Sequence, residues 1–277
     1  MTLSGIVQRR PLMSSFVMVA LLCALSVLFV DQPLARYYRD AASAETVAAF
    51  QFITDLGDAT PYVIVVLLVL AGCGIASAFS LYEATFVFIR RVSNACVFIL
   101  LSLAVSGAVL HIIKFSMGRY RPRGLFESGL YDIAMFTAGY LNSSFPSGHS
   151  QVAGALAASL LLITSRYALF YVAFAAVVGY SRVVTGDHYL SDVLFGLFLG
   201  ASSAVLVKQW VYDRRGIPVA IVLPRNRTLS EEMAQSKQAH LLEAGVPFAR
   251  NDDVVMQDDP DTLQRLLDKP RHLDIRG

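Results

Sequence analysis

Six mostly apolar stretches dominate this sequence: Leu12–Val30, Tyr62–Phe79, Ala95–Ile113, Gln151–Thr164, Ala168–Val184 and Val193–Val211. Inside a bilayer a backbone must satisfy its own polar groups, and an apolar α-helix of about 20 residues does so. The fourth stretch is short, and its helix is expected to reach back to Pro146. The predicted fold class is therefore all-α, a polytopic membrane bundle of about six transmembrane helices.

Charge divides the chain in two. Residues 1–211 carry 23 charged side chains, and the 66 residues after them carry 21. A soluble domain averages about 25% charged residues, whereas this chain has 16%. The expected organisation is a membrane domain over residues 1–211 and a polar, cytoplasmic C-terminal tail over residues 212–277. Within the tail, Thr228 and Glu231 have capping-box spacing for a helix to Leu242, and Asp259-Pro260 would open another to Asp268. Net charge is only +2 and no long basic run exists, so no nucleic-acid partner is expected. Cys23, Cys73 and Cys96 lie in apolar runs without CxxC spacing, which argues against a disulfide framework or a zinc site.

Several local features refine this picture. Arg9 and Arg10 precede the first stretch as in a signal peptide, but its length and the lack of an A-x-A site read as an anchor. Gly154, Ala155, Ala157, Ala158 and Ser159 give the fourth stretch a small-residue surface for close packing. Gly196 and Gly200 form a GxxxG, read as packing within the chain rather than dimerisation. Val47, Phe50, Ile53 and Leu56 recur at helical spacing, as in an interfacial amphipathic helix or a loop helix packed on the bundle. The positive-inside rule puts Arg9, Arg10, Arg90, Arg91, Arg166, Lys208, Arg214 and Arg215 in the cytoplasm, and with them both termini. Arg36, Arg39, Arg119 and Arg123 then face the other side.

Three polar clusters interrupt the apolar runs: Lys114-x6-Arg121-Pro122, Pro146-Ser147-Gly148-His149, and Ser181-Arg182-x5-His188-x3-Asp192. With six crossings, all three converge at one membrane face. Ionisable groups at span ends are costly enough to mark a functional site. Lys114, Arg121 and Arg182 supply fixed positive charge, and an arginine fork matches phosphate oxygens. Ser147 and Gly148 stand where a helix should begin, so a hydroxyl and free N–H groups would meet an anion. His188 and Asp192 share a helical face, so the carboxylate can orient the imidazole. A histidine with an ordinary pKa of ~6.5 can attack as the neutral base. His149 would protonate the leaving oxygen and then assist hydrolysis of a phosphohistidine. Two histidines and a carboxylate also suit a metal, but three cations nearby would repel one, and neither metal nor cofactor is expected. His111, one turn before Lys114, reads as a span cap.

The blocks KFSMGRYRP, PSGH and SRVVTGDHYLSD resemble the three-part signature of the type 2 phosphatidic acid phosphatase superfamily, which includes bacterial acid phosphatases and vanadium haloperoxidases. Every fixed position is filled, in order, over residues 114–192. The resemblance implies a helical bundle and metal-independent phosphoester hydrolysis. It assigns His188 as nucleophile, Asp192 as its orienting partner, His149 as acid/base, and Lys114, Arg121, Ser147, Gly148 and Arg182 as phosphate ligands. It leads to an integral-membrane lipid phosphatase acting on a phospholipid, an isoprenoid diphosphate or a lipid A-type substrate. The expected location is a bacterial inner membrane with the site facing the periplasm. One alternative is a lipid phosphotransferase that passes the group to an alcohol. Another is a vanadate-dependent haloperoxidase, a class whose soluble members fit six apolar spans poorly. The segment Arg123–Phe145, with Phe126, Tyr131, Phe136 and Tyr140, is expected to shape the entrance.

Overall fold

Pro11 can open a helix because its missing N–H is one that a first turn leaves unpaired, and the apolar run after it stays helical to Phe29 (α1). The structure, a computed structural model, describes residues 11–79, 83–137 and 139–220. After α1 come α2 (Asp31–Ala41), α3 (Ala44–Asp55), α4 (Ala59–Phe79), α5 (Glu83–Met117), α6 (Pro122–Ser128), α7 (Gly148–Ile163), α8 (Ala168–Val184) and α9 (Leu190–Val207). A π turn, Lys208–Tyr212, and a 3-10 turn, Asp213–Arg215, continue α9 until Gly216 ends the run with φ +64°. Among the described residues the extended pairing is confined to one isolated bridge, Arg119 with Ile133. The protein is all-α.

All six apolar stretches are helical, but they are not equivalent. Among the described residues, five segments are long and apolar enough to cross a bilayer: Pro11–Phe29, Ala44–Phe79, Thr85–Met117, Ser165–Val184 and Leu190–Arg215. The sixth helix, α7, has only 16 residues, about 24 Å at 1.5 Å per residue, against a hydrocarbon core of about 30 Å. It is the central helix of the bundle, buried along most of its length and packed on α5, α8 and α9. Conversely, α5 runs well beyond its apolar stretch, because Arg90, Arg91 and Lys114 end the hydrophobicity without ending the helix.

Small residues let α7 and α9 approach closely. A Cβ added to Gly196 would lie 2.6 Å from the Ser147 carbonyl oxygen. One on Gly200 would lie 2.5 Å from Ala155 N and collide with the Gln151 carbonyl. One on Gly154 would meet Leu197 Cα at 3.0 Å. The GxxxG is thus used inside the chain, as its spacing implied. Gln151, buried on α7, donates to Ser106 Oγ of α5 at 2.5 Å and so costs no unpaired amide hydrogen there.

The short helices between α1 and α4 pack on the bundle. Ser43 caps α3 by accepting from the Thr46 N–H, and at its far end buried Thr54 shares a 2.8 Å hydrogen bond with Ser181 of α8. Tyr38 of α2 bonds Tyr180 of α8 through their hydroxyls. Both short helices therefore lean on the end of α8 that carries the Ser181-Arg182 cluster. At the other end, Tyr212 and Val219 are buried in one cluster with Ala95, Phe98, Ala204 and Val207, so packing continues past residue 211. The tail helices expected near Thr228 and Asp259, and the bases Arg9 and Arg10, lie outside the described residues.

Candidate active site

Ser147 caps α7: its hydroxyl accepts from the Ser150 N–H at 3.4 Å and shares a 2.9 Å bond with the Ser150 hydroxyl. Its own N–H donates to the Asp192 carbonyl at 3.0 Å, which joins the second and third polar clusters directly. Gly148 follows as the first helical residue, and a Cβ there would meet nothing within 4 Å. The absent side chain leaves open space at the helix start, where N–H groups are unpaired by α-helical geometry. His149 comes next, half-buried, with its Cβ 2.6 Å and its Cδ2 2.9 Å from where a Cβ on Gly57 would stand. Arg182, Asp58 and Asp187 are among its electrostatic neighbours.

The third cluster bends back at the end of α8. The Arg182 carbonyl accepts from the N–H groups of both Asp187 and His188, each at 3.2 Å, with Gly186 in the left-handed region at φ +69°. This turn places His188, 3% exposed, just before α9. Asp192 sits at the third position of α9, and its Oδ2 accepts from the Tyr189 N–H at 2.9 Å and from the Ser144 hydroxyl at 2.6 Å. His188 Nδ1 stands 3.7 Å from that same Oδ2, close enough to feel the charge but beyond hydrogen bonding. Burial pushes the His188 pKa down to about 3, and Arg121 and Arg182 add to this against the pull of Asp192. The imidazole is therefore neutral at physiological pH, the form a nucleophile requires.

Arg121 and Arg182 meet at one carboxylate that the sequence reading left out. Asp187 lies 3.2 Å from Arg182 Nη2 and 3.9 Å from Arg121 Nη1, and it also accepts from Thr185 Oγ1 at 2.9 Å and Tyr140 OH at 3.2 Å. Burial alone would raise the Asp187 pKa, but Arg182, Thr185, His188 and Arg121 outweigh it and hold the carboxyl below its ordinary value. The Arg121 guanidinium stacks 4.0 Å over the Tyr140 ring. The Nε atoms of Arg121 and Arg182 are buried without a partner, as is His188 Nδ1. With Lys114, an electrostatic neighbour of both arginines, three cations and one carboxylate give a formal charge of about +2 here.

Lys114 reaches the Ser143 carbonyl at 2.6 Å and has Arg121, Asp192 and Arg182 as electrostatic neighbours. It lines a cavity of about 330 Å³ with His111, Phe115, Thr137, Gly139 and Ser143. His111 is thus a cavity residue beside Lys114 rather than a simple span cap. Of the four entrance aromatics, Tyr140 belongs to the pocket, whereas Tyr131 turns inward and shares its hydroxyl with Arg119 and the Val27 carbonyl. Phe126 stacks under Arg39, and Phe136 packs edge-on against Phe115.

Arg119, counted from the sequence only among the bases facing the other side of the membrane, is the site neighbour that sequence reasoning missed. It is buried, with Nη1 2.5 Å from Asp192 Oδ1 and 2.7 Å from Ser191 Oγ, and Nη2 2.8 Å from Asp31 Oδ2. Breaking a buried ion set by removing one partner costs about 3–5 kcal/mol. The pattern Gly118-Arg119-Tyr120-Arg121 offered one signal: two arginines two apart in extended chain lie on the same side. Among the described residues no group of three His, Cys, Asp or Glu side chains is close enough together to hold a metal ion.

Residues 95–216 match the PAP2 superfamily. A lipid A 1-phosphatase of Rhizobium etli is 31% identical over 199 residues, covering 70% of this chain and 82% of that protein. A lipid A 1-phosphatase of Rhizobium johnstonii is 36% identical over 109 residues, 39% of this chain and 45% of that protein. Among solved structures, a transmembrane PAP2 type phosphatidylglycerolphosphate phosphatase from Bacillus subtilis has a similar fold. The TM-score is 0.53, over 79% of this chain and 100% of that one, at 22% identity.

Proposed function

This chain belongs to the PAP2 superfamily and is a membrane lipid phosphatase, and from that premise we propose that it cleaves its substrate through a phosphohistidine formed at His188. The observation that carries this reading is the pairing of a neutral, buried imidazole with two guanidinium groups whose Nε atoms lack partners. Those donors match the equatorial oxygens of a phosphoryl group in transfer, where negative charge must be met by something preorganised. Lys114, Arg121 and Arg182 bind the phosphate, with Ser147 and the N–H groups that begin at Gly148 closing the cradle.

In the first step His188 Nε2 forms a bond to phosphorus while the bond from phosphorus to the lipid oxygen breaks. His149 gives its proton to that departing oxygen. The ring retains its Nδ1 proton, becomes cationic, and is held by Asp192. In the second step water attacks the phosphohistidine, His149 takes the water proton, and phosphate leaves with His188 restored. The chain alone supplies each of these groups, so no metal or cofactor enters the reaction.

For the substrate we favour the phosphate of a lipid A-type glycolipid, because the two relatives described above bear that name. The site opens to the periplasm and both termini lie in the cytoplasm, a reading supported by the bases at the opposite membrane ends. The membrane body is followed by a polar tail, beginning after the residues that pack with Val219.

A panel of lipid A, phosphatidic acid, phosphatidylglycerophosphate and undecaprenyl diphosphate tests the substrate. Release of phosphate fastest from lipid A supports the assignment, and a clear preference for another lipid replaces it. Radiolabelled phosphate trapped on acid-sensitive protein tests the intermediate. Label that persists in His188→Ala means that another residue attacks. A reporter joined after Arg225 tests the topology, and periplasmic activity there reverses it.

A further inference from the structure

Asp31 stands at the start of α2, outside the residues that match the family, yet it is 1% exposed and fully engaged. Its Oδ1 accepts from Ser26 Oγ at 2.7 Å and from the Ser191 N–H at 3.1 Å. Its Oδ2 accepts from Ser191 Oγ at 2.5 Å and from Arg119 Nη2 at 2.8 Å. Through Ser191 it touches α9 beside Asp192, and through Arg119 it touches Asp192 itself. These contacts are all buried, so solvent does not screen them.

We propose that Asp31 is a positioning residue for the reaction, which acts through Arg119 to leave Asp192 with the net negative charge that His188 needs. The inference rests on the phosphohistidine reading above. Arg119 Nη1 lies 2.5 Å from Asp192 Oδ1, so an arginine alone would cancel the carboxylate that faces the imidazole. Asp31 shares that guanidinium from the opposite side, at 2.8 Å. Two carboxylates and one guanidinium give the set a formal charge of −1. Arg121 and Arg182 bring positive charge to bear on the same ring. When His188 Nε2 bonds to phosphorus, the cationic ring thus has a net negative set facing its Nδ1. Arg119 also fixes the Asp192 carboxylate, which leaves its Oδ2 to face Nδ1.

This mechanism makes an unusual demand on a double-variant cycle. Asp31→Asn keeps the shape but leaves Arg119 free to neutralise Asp192. Arg119→Gln removes the neutralising charge, and once it is gone Asp31 has no remaining task in catalysis. Asp31→Asn should therefore cost turnover when Arg119 is present and cost little when it is absent.

The test uses the purified full chain in detergent micelles, assayed with whichever lipid of the four-member panel the unaltered protein cleaves fastest, and with inorganic phosphate as a competing anion. Asp31→Asn is expected to lower kcat about 10- to 100-fold, as loss of an outer partner to a working histidine does, with KM and phosphate inhibition within about threefold. Asp31→Asn/Arg119→Gln is expected to turn over at the rate of Arg119→Gln or faster. Undiminished kcat in Asp31→Asn overturns the proposal, and so does a loss of phosphate binding in parallel with kcat, which indicates a structural role. Equal multiplicative costs of Asp31→Asn in both backgrounds also overturn it. If Asp31→Asn fails to fold, the comparison of Arg119→Gln with the double variant still decides, because a further large loss of kcat there contradicts the mechanism. Failure of the underlying reading is distinct: His188→Ala would then retain turnover, whatever Asp31 does.

Discussion

The N–H of Ser147 donates to the carbonyl of Asp192 at 3.0 Å. One hydrogen bond thereby ties the cap of α7 to the first turn of α9, and with it the open helix start at Gly148 to the carboxylate beside His188. The two helices hold this register because Gly196 and Gly200 let their backbones nearly touch. Rigid placement on packed helices suits a site whose groups must be in place before charge develops.

Close packing here should be sensitive to a single methyl group. Gly200→Ala gains about 1 kcal/mol of helix propensity but drives a Cβ into the backbone of α7, where overpacking costs about 1–3 kcal/mol and backbone cannot step aside. Gly107 of α5, where a Cβ would meet nothing within 4 Å, supplies the contrast. Thermal unfolding in detergent should show a lower midpoint for Gly200→Ala and an unchanged or higher one for Gly107→Ala. Equal midpoints would mean that α7 and α9 are less tightly joined than their geometry implies.

Acid should destabilise the fold through His188. In an unfolded chain an imidazole takes up a proton near pH ~6.5, whereas buried His188 resists until about 3. Between these values the unfolded state binds more protons, so stability rises with pH and is lost as pH falls from about 6.5 towards 3. Asp187, held below its ordinary carboxyl pKa, adds a further loss at the acid end. Melting curves across this window should fall steeply, and His188→Asn should flatten the slope. A slope unchanged in that variant would remove His188 as its source.

His149 should matter most where the leaving group is poor. His149→Ala is expected to slow an alkyl phosphate about 10²- to 10⁴-fold and an activated aryl phosphate much less, since the latter needs little protonation. Gly57→Ala should reproduce the same pattern in weaker form, because its Cβ would displace the His149 side chain. Leaving-group plots for both variants provide the check. Uniform losses across all esters would mean that His149 serves binding rather than proton transfer.

Vanadate should inhibit, and chelators should not. In the proposed mechanism the cations of Lys114, Arg121 and Arg182 supply the charge that a metal pair would otherwise provide. A five-coordinate vanadate bonded to His188 would engage the same donors, with inhibition in the micromolar-to-millimolar range on the order expected for several charge-assisted bonds. Activity lost in EDTA and restored by Mg²⁺ or Zn²⁺ would overturn the metal-free mechanism.

The sequence by itself determined the helical class, because apolar runs of membrane length have no other stable backbone solution. It also singled out the side chains proposed for phosphate chemistry, since Lys114, Arg121, Ser147, Gly148, His149, Arg182, His188 and Asp192 fall into short blocks whose local spacing is readable. Tertiary structure decided everything that depends on contact between distant segments. Arg119 reads only as a base facing the other side of the membrane until Asp31, 88 residues earlier, and Asp192, 73 residues later, are brought to its two nitrogens. Asp187 reads as an incidental acid until the turn after α8 sets it between Arg121 and Arg182. Gly57 carries no local signal at all, and its role exists only because α8 and His149 leave no room for a Cβ. Periodicity and spacing report what a helix does along its own axis. Pairing between buried charges is set by how helices pack, and no local pattern encodes that.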